Sequence, residues 1–163
     1  MTINRQNVKD ILRYPSDSVL EELGDVLVKH MAKKNPSLIP NREFAIILVD
    51  NLAHSERFSK VLATRKSAIR NICTFLYDAE KSTSNYLSSG GRVQPGLNAE
   101  EICGTSISLL RRAVNIILSI AKLPCNRPML TPYTEELLTL STSQMIDTSV
   151  LALLAAVMFE LST

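Results

Sequence analysis

The amino-acid sequence predicts an all-α fold, a compact single-domain bundle of about seven helices in mixed or orthogonal packing. Three observations carry that prediction. Apolar residues recur at helical spacing almost throughout. No segment alternates apolar and polar residues with a period of two over a useful length. The 163 residues hold only 5 Gly and 7 Pro, too few for a turn-rich β-sandwich. With 45% hydrophobic and 21% charged residues, the chain is neither disordered nor collagen-like. A chain of this size buries about two-thirds of its surface on folding, so a core forms without staples.

The elements follow in order. A first helix is predicted from about Ile3 to Tyr14, with Val8, Ile11 and Leu12 on one face and Pro15 as its stop. Ser18 and Glu21 have capping-box spacing. They start a second helix carrying Val19, Leu20, Leu23, Val26, Leu27 and Met31, which ends near Lys34. A third covers about Asn41 to Ala53, and its run from Phe44 to Val49 leaves so little polar face that it is expected at the centre. Ser55 caps a fourth, with Phe58, Val61 and Leu62 as its stripe; a bend near Arg65 joins it to a fifth from about Lys66 to Tyr86. A flexible connector is expected near 88–97, where Gly and Ser cluster. Asn98 and Glu101 then open one long helix through Ile120, weakened early by Gly104. Leu123 to Leu130 is expected to be extended or turned. Thr131-Pro132 starts a short helix to Leu140, and Ser141 and Gln144 start the last helix, apolar nearly all round to Leu161. The expected core includes Phe44, Ile47, Leu48, Ile72, Leu76, Ile117, Ile120, Leu151 and Leu154.

The same sequence offers no catalytic residue set and no metal site. The two histidines, His30 and His54, and the three cysteines, Cys73, Cys103 and Cys125, lack the close ligand pairs that zinc sites use. Cys73 falls on a core face, and Cys125 is read as an incidental loop cysteine, although Lys122 and Arg127 flank it. Gly90-Gly91 lacks the spacing of a phosphate loop. Glu21-Glu22, Glu100-Glu101 and Glu135-Glu136 lie in predicted first turns, where negative charge offsets the helix dipole. No cofactor and no small-molecule substrate is implied, and the chain is read as no enzyme.

Charge is the stronger signal. Residues 1–50 hold seven basic and seven acidic side chains, 51–127 eleven and five, and 128–163 none and four, which together give the net +2. Arg57, Lys60, Arg65, Lys66 and Arg70, joined by Arg111 and Arg112, are the expected surface for nucleic acid or an acidic partner. The over-apolar last helix is the expected self-association interface, through Val150, Leu153, Leu154, Val157, Met158 and Leu161.

The first functional reading is therefore a non-enzymatic helical interaction protein that docks a protein partner, itself included, as a homo-oligomer. The alternative is a small helical RNA- or DNA-binding accessory protein of viral type, using the 57–70 stretch. The absence of Trp and the scatter of Ser, Thr and Asn suit a viral or effector protein. The longest uninterrupted apolar run, Val150 to Phe159, is half of what a membrane span needs, about 20 residues. With no apolar leader after Met1 and an odd cysteine count, a cytoplasmic setting is expected, that of a host cell included.

Overall fold

The computed structural model describes residues 12–13, 15–32, 39–92 and 99–163. The predicted helix Ile3–Tyr14 lies almost wholly outside them, as do the Asn35-Pro36 loop, the Asn98 cap and most of the 88–97 connector. Among the described residues every regular element is helical: α1 Asp17–Met31, α2 Ile39–Ala53, α3 Glu56–Ala63, α4 Lys66–Ser88, α5 Ala99–Cys103, α6 Ile107–Ala121, α7 Arg127–Leu130, α8 Thr134–Ser141 and α9 Thr148–Ser162. Seven of these have eight residues or more, as the sequence predicts. Two 3-10 turns, Pro124–Asn126 and Thr131–Tyr133, flank α7.

The centre belongs to α6 and not to α2. Leu110, Ala113, Val114, Ile116, Ile117, Ile120 and Ala121 of α6 are all buried, and α2, α3, α4 and α9 pack around them. α1 covers one side of α2 and α6 another. Ala45, Ile46 and Val49 are buried by these neighbours, while Phe44 is 67% exposed. Of the expected core, Ile72, Leu76, Ile117, Ile120 and Leu154 are fully buried; Ile47, Leu48 and Leu151 are only half-buried. The buried apolar side chains form one cluster reaching from Leu12 to Val157.

Several boundaries differ from the sequence reading, each for a local reason. α1 starts at Asp17 after an extended Ser16, two residues before the expected cap, because Arg57 holds the Leu12 and Pro15 carbonyls and the Asp17 carboxylate. Ser18 instead lies in the first turn, 2.9 Å from the Ser16 hydroxyl. The long helix expected after Asn98 is two helices, because Gly104 takes φ +74° and Ser106 caps α6 through the Leu109 amide. The Leu123–Leu130 stretch, expected to be extended or turned, is a 3-10 turn followed by the single helical turn of α7, since Pro124 and Pro128 stand in first turns, where proline fits. α9 begins at Thr148, where the Asp147 carboxylate accepts from the Ser149 amide at 2.8 Å, and not at Ser141, which closes α8. α4 ends in a built cap: Gly90 takes φ +86°, and the Gly91 amide donates to the Tyr86 carbonyl at 3.0 Å.

Candidate protein-docking surface

The basic residues singled out by the sequence divide into two groups. Arg57, Lys60 and Arg65 line a groove of about 370 Å³ between α1 and α3, together with Asp17 and Glu21. All three are matched there. Arg57 donates to the Leu12 and Pro15 carbonyls and pairs with Asp17 at 2.7 Å. Arg65 pairs with Asp25 at 3.0 Å, and Lys60 pairs with Glu56 at 2.7 Å, which raises the lysine pKa. The helices approach closely because Gly24 faces Val61: a Cβ at Gly24 would stand 2.8 Å from the valine Cγ1. Lys66, Arg70 and Arg111 are exposed and do not line this groove. Arg112 turns inward to Asp50 at 2.8 Å, tying α6 to α2. Arg57 and Arg65 of the basic stretch thus hold this part of the chain to α1, and a phosphate would have to displace carboxylates to reach them, whereas Lys66 and Arg70 stay exposed.

A polar groove of about 420 Å³ between α3 and α6 brings His54, Glu56, Ser59, Asn115 and Lys122 together. The His54 Nδ1 lies 2.7 Å from the Asp50 carbonyl, and the Ser59 hydroxyl donates to the Ser119 carbonyl, so neither is set as a base or a nucleophile for the other. Cys73 is buried, and that burial, with the Glu136 carboxylate beside it, pushes its thiol up to about 12, which keeps it protonated and inert. Among the described residues no three His, Cys, Asp or Glu side chains gather as a metal site, and no helix is long and apolar enough to cross a membrane.

α9 packs on α6 and α8 with one face. Val150, Leu154 and Val157 are fully buried in the chain's own core. That removes three of the six expected interface residues from any outer contact; Leu153, Met158 and Leu161 are half-buried. The opposite side presents Ala152, Ala155 and Phe159, the last 67% exposed. Phe159 is absent from the expected interface, although the i, i+3, i+7 register of Ala152, Ala155 and Phe159 places it opposite the buried stripe. The only charge on α9, Glu160, is paired with Arg127 at 2.8 Å. Its outer face is therefore uncharged, with Ala152, Ala155 and Phe159 between the exposed hydroxyl residues Thr148 and Ser162.

Comparison with known proteins supplies the setting. The family described as SWI/SNF-like complex subunit BAF250/Osa matches residues 1–110. The Trithorax group protein osa of Drosophila melanogaster is 27% identical over 99% of this chain and 6% of its own length. The protein of the same name from Drosophila yakuba is 26% identical over 68% of this chain and 34% of its own. The chain thus spans well under half the length of either relative. These matches correct four expectations. They overturn the viral or effector reading and the RNA-binding accessory reading, because the matching family is one of SWI/SNF-like complex subunits. They also set aside homo-oligomerisation and the cytoplasmic setting, which do not fit a family of SWI/SNF-like complex subunits. The family match extends over more than half of the residues, and the chain belongs to the SWI/SNF-like complex subunit BAF250/Osa family.

Proposed function

We propose that this chain is a non-enzymatic helical docking element, folding as one unit, that holds another subunit of a chromatin-remodelling complex against the outer face of α9. The observation that carries the reading is the exposed apolar face of that helix. A single exposed apolar residue means little. Here Ala152, Ala155 and Phe159 share one side of a helix whose sole charge is already neutralised. Small residues let a partner helix come close, and an aromatic one turn beyond them, as Phe159 is, can anchor it. Its family of complex subunits supports a protein partner.

The test is made in the full-length subunit. Phe159→Asp should reduce incorporation into the complex about tenfold or more, since an aromatic anchor contributes at least ~2 kcal/mol. Val26→Asp, at a 53% exposed position on α1, serves as the control for added surface charge. Incorporation of Phe159→Asp equal to that of wild type and control refutes the reading.

A further inference from the structure

A cavity of about 260 Å³ lies between α4, α5 and α6, with the loop from α8 to α9 as its fourth wall. Its lining is mainly aliphatic: Ala79, Ile102, Ile107, Leu110, Met145 and Ile146. Ala79, Leu110 and Ile146 are buried, whereas Ile102, Ile107 and Met145 are half-buried, so an entering group reaches their side chains. The polar groups among them are already engaged. The Thr83 hydroxyl donates to the Ala79 carbonyl at 3.0 Å, and the Cys103 thiol donates to the Thr105 carbonyl at 3.0 Å. The loop wall is fixed through Ser143, whose hydroxyl donates to the Glu80 carboxylate and accepts from the Met145 amide at 3.2 Å. The cavity is therefore preformed, as ligand sites usually are.

Size, polarity and charge identify the occupant. Sites for cofactors and drug-sized ligands begin at about 300 Å³, so this cavity admits one side chain or its equivalent. A polar group entering it would give up water without replacement, which selects an aliphatic group. At the rim stands Asp147, an exposed residue. Its Oδ1 caps α9 by accepting from Ser149, and its Oδ2 has no partner among the described residues. No described Lys or Arg lines the cavity. A carboxylate beside an apolar hole favours an aliphatic group that adjoins a cation. We propose that this cavity takes an aliphatic side chain of a partner polypeptide, flanked by a Lys or Arg that pairs with Asp147. The polypeptide source rests on the docking reading above; the preference for an aliphatic cation does not. Since Asp147 caps α9, the cavity lies at the start of the helix whose far end carries Phe159, about 18 Å along the axis. A partner that reaches both is held at two points.

The probe is isopentylammonium, a leucine-like alkyl group with a cationic head, titrated into the 163-residue chain while methyl signals are followed by NMR. Isopentanol and 4-methylpentanoate are its neutral and anionic counterparts. Saturable shifts are expected at the Ile102, Ile107 and Met145 methyls, with the exposed Val19 and Val26 of α1 unmoved. The ammonium should bind about threefold more tightly than the alcohol, and the carboxylate most weakly. Asp147→Asn keeps a good N-cap, removes the charge and should make the ammonium and the alcohol equal. No saturable shift at the three methyls overturns the site. An ammonium no tighter than the alcohol, or unaffected by Asp147→Asn, overturns the cationic flank. Ile107→Phe fills the cavity from a half-buried position; it should abolish probe binding and, in the full-length subunit, lower incorporation into the complex about fivefold or more. If that variant does not fold, Met145→Phe replaces it. Lost probe binding with unchanged incorporation overturns the polypeptide occupant and leaves a small molecule. No partner protein is in the titration, so its failure leaves docking on α9 intact, and an inert Phe159→Asp leaves the titration intact.

Discussion

Replacing Leu154 with alanine tests which face of α9 is internal. The side chain is 0% exposed in the cluster shared with α6 and α8. The substitution deletes three carbon groups worth about 0.8 kcal/mol each, or roughly 2.4 kcal/mol in transfer alone. A residual cavity adds to this, so a total of about 3–4 kcal/mol is expected, inside the range for buried Leu→Ala changes. Leu48→Ala, at a half-buried position, should cost about 1–2 kcal/mol. Phe44→Ala, at 67% exposure, should cost less than about 1 kcal/mol. Urea unfolding followed by far-ultraviolet circular dichroism reads the three variants on one scale. With a slope of about 2 kcal/mol/M, Leu154→Ala should lower the midpoint by roughly 1.5–2 M at constant slope. A loss no larger for Leu154→Ala than for Phe44→Ala would refute the placement of α9 and of α2.

Two further outcomes follow from the packing. Burial raises the Cys73 thiol from 9.0 to about 12, so between those values the folded chain holds a proton that the unfolded chain releases. The contribution is complete below pH 9 and is lost as pH rises toward 12; wild type should lose about 2 kcal/mol between pH 9 and 10.5 that Cys73→Ala does not lose. Equal alkaline slopes in urea titrations of the two proteins would refute the assignment. Arg57→Ala removes the bonds to the Leu12 and Pro15 carbonyls and to Asp17. Since that side chain is 43% exposed, the expected cost is about 1 kcal/mol, with faster proteolysis N-terminal to Asp17. An unchanged cleavage rate would mean that the buried Leu12 side chain alone holds the segment.

Helix identity was legible in the sequence because a stripe such as Ile69–Ile72–Cys73–Leu76 repeats at helical spacing and is then buried in α4. Caps were less legible. Ser18 and Glu21 match a capping box in spacing, but Arg57, some forty residues away, fixes the start of α1 by binding the carbonyls ahead of it. Gly104 read as a weak point within a helix and is a break, since the left-handed turn there is accessible to glycine without strain. Centrality was not legible for α2, because a run that is apolar on every side does not say how many neighbours will cover it.

The same limit governs the surfaces. Net charge along a segment counts basic residues without saying what they meet. The stretch from Arg57 to Arg70 looked like an offer to a polyanion, yet Arg57 and Arg65 face Asp17 and Asp25 of α1, a region the segment count recorded separately as neutral. For α9 the excess of apolar residues was visible, but its direction depended on where α6 and α8 lie. Large branched side chains such as Val150, Leu154 and Val157 went inward because burying them removes the most apolar area from water. That leaves Ala152 and Ala155 outside, where two methyl groups cost little in water and permit close approach of a partner. Phe159 then concentrates the apolar area on one side chain. The proposed docking face thus rests on one aromatic side chain, which is why substitution at Phe159, and not across the helix, is the informative perturbation.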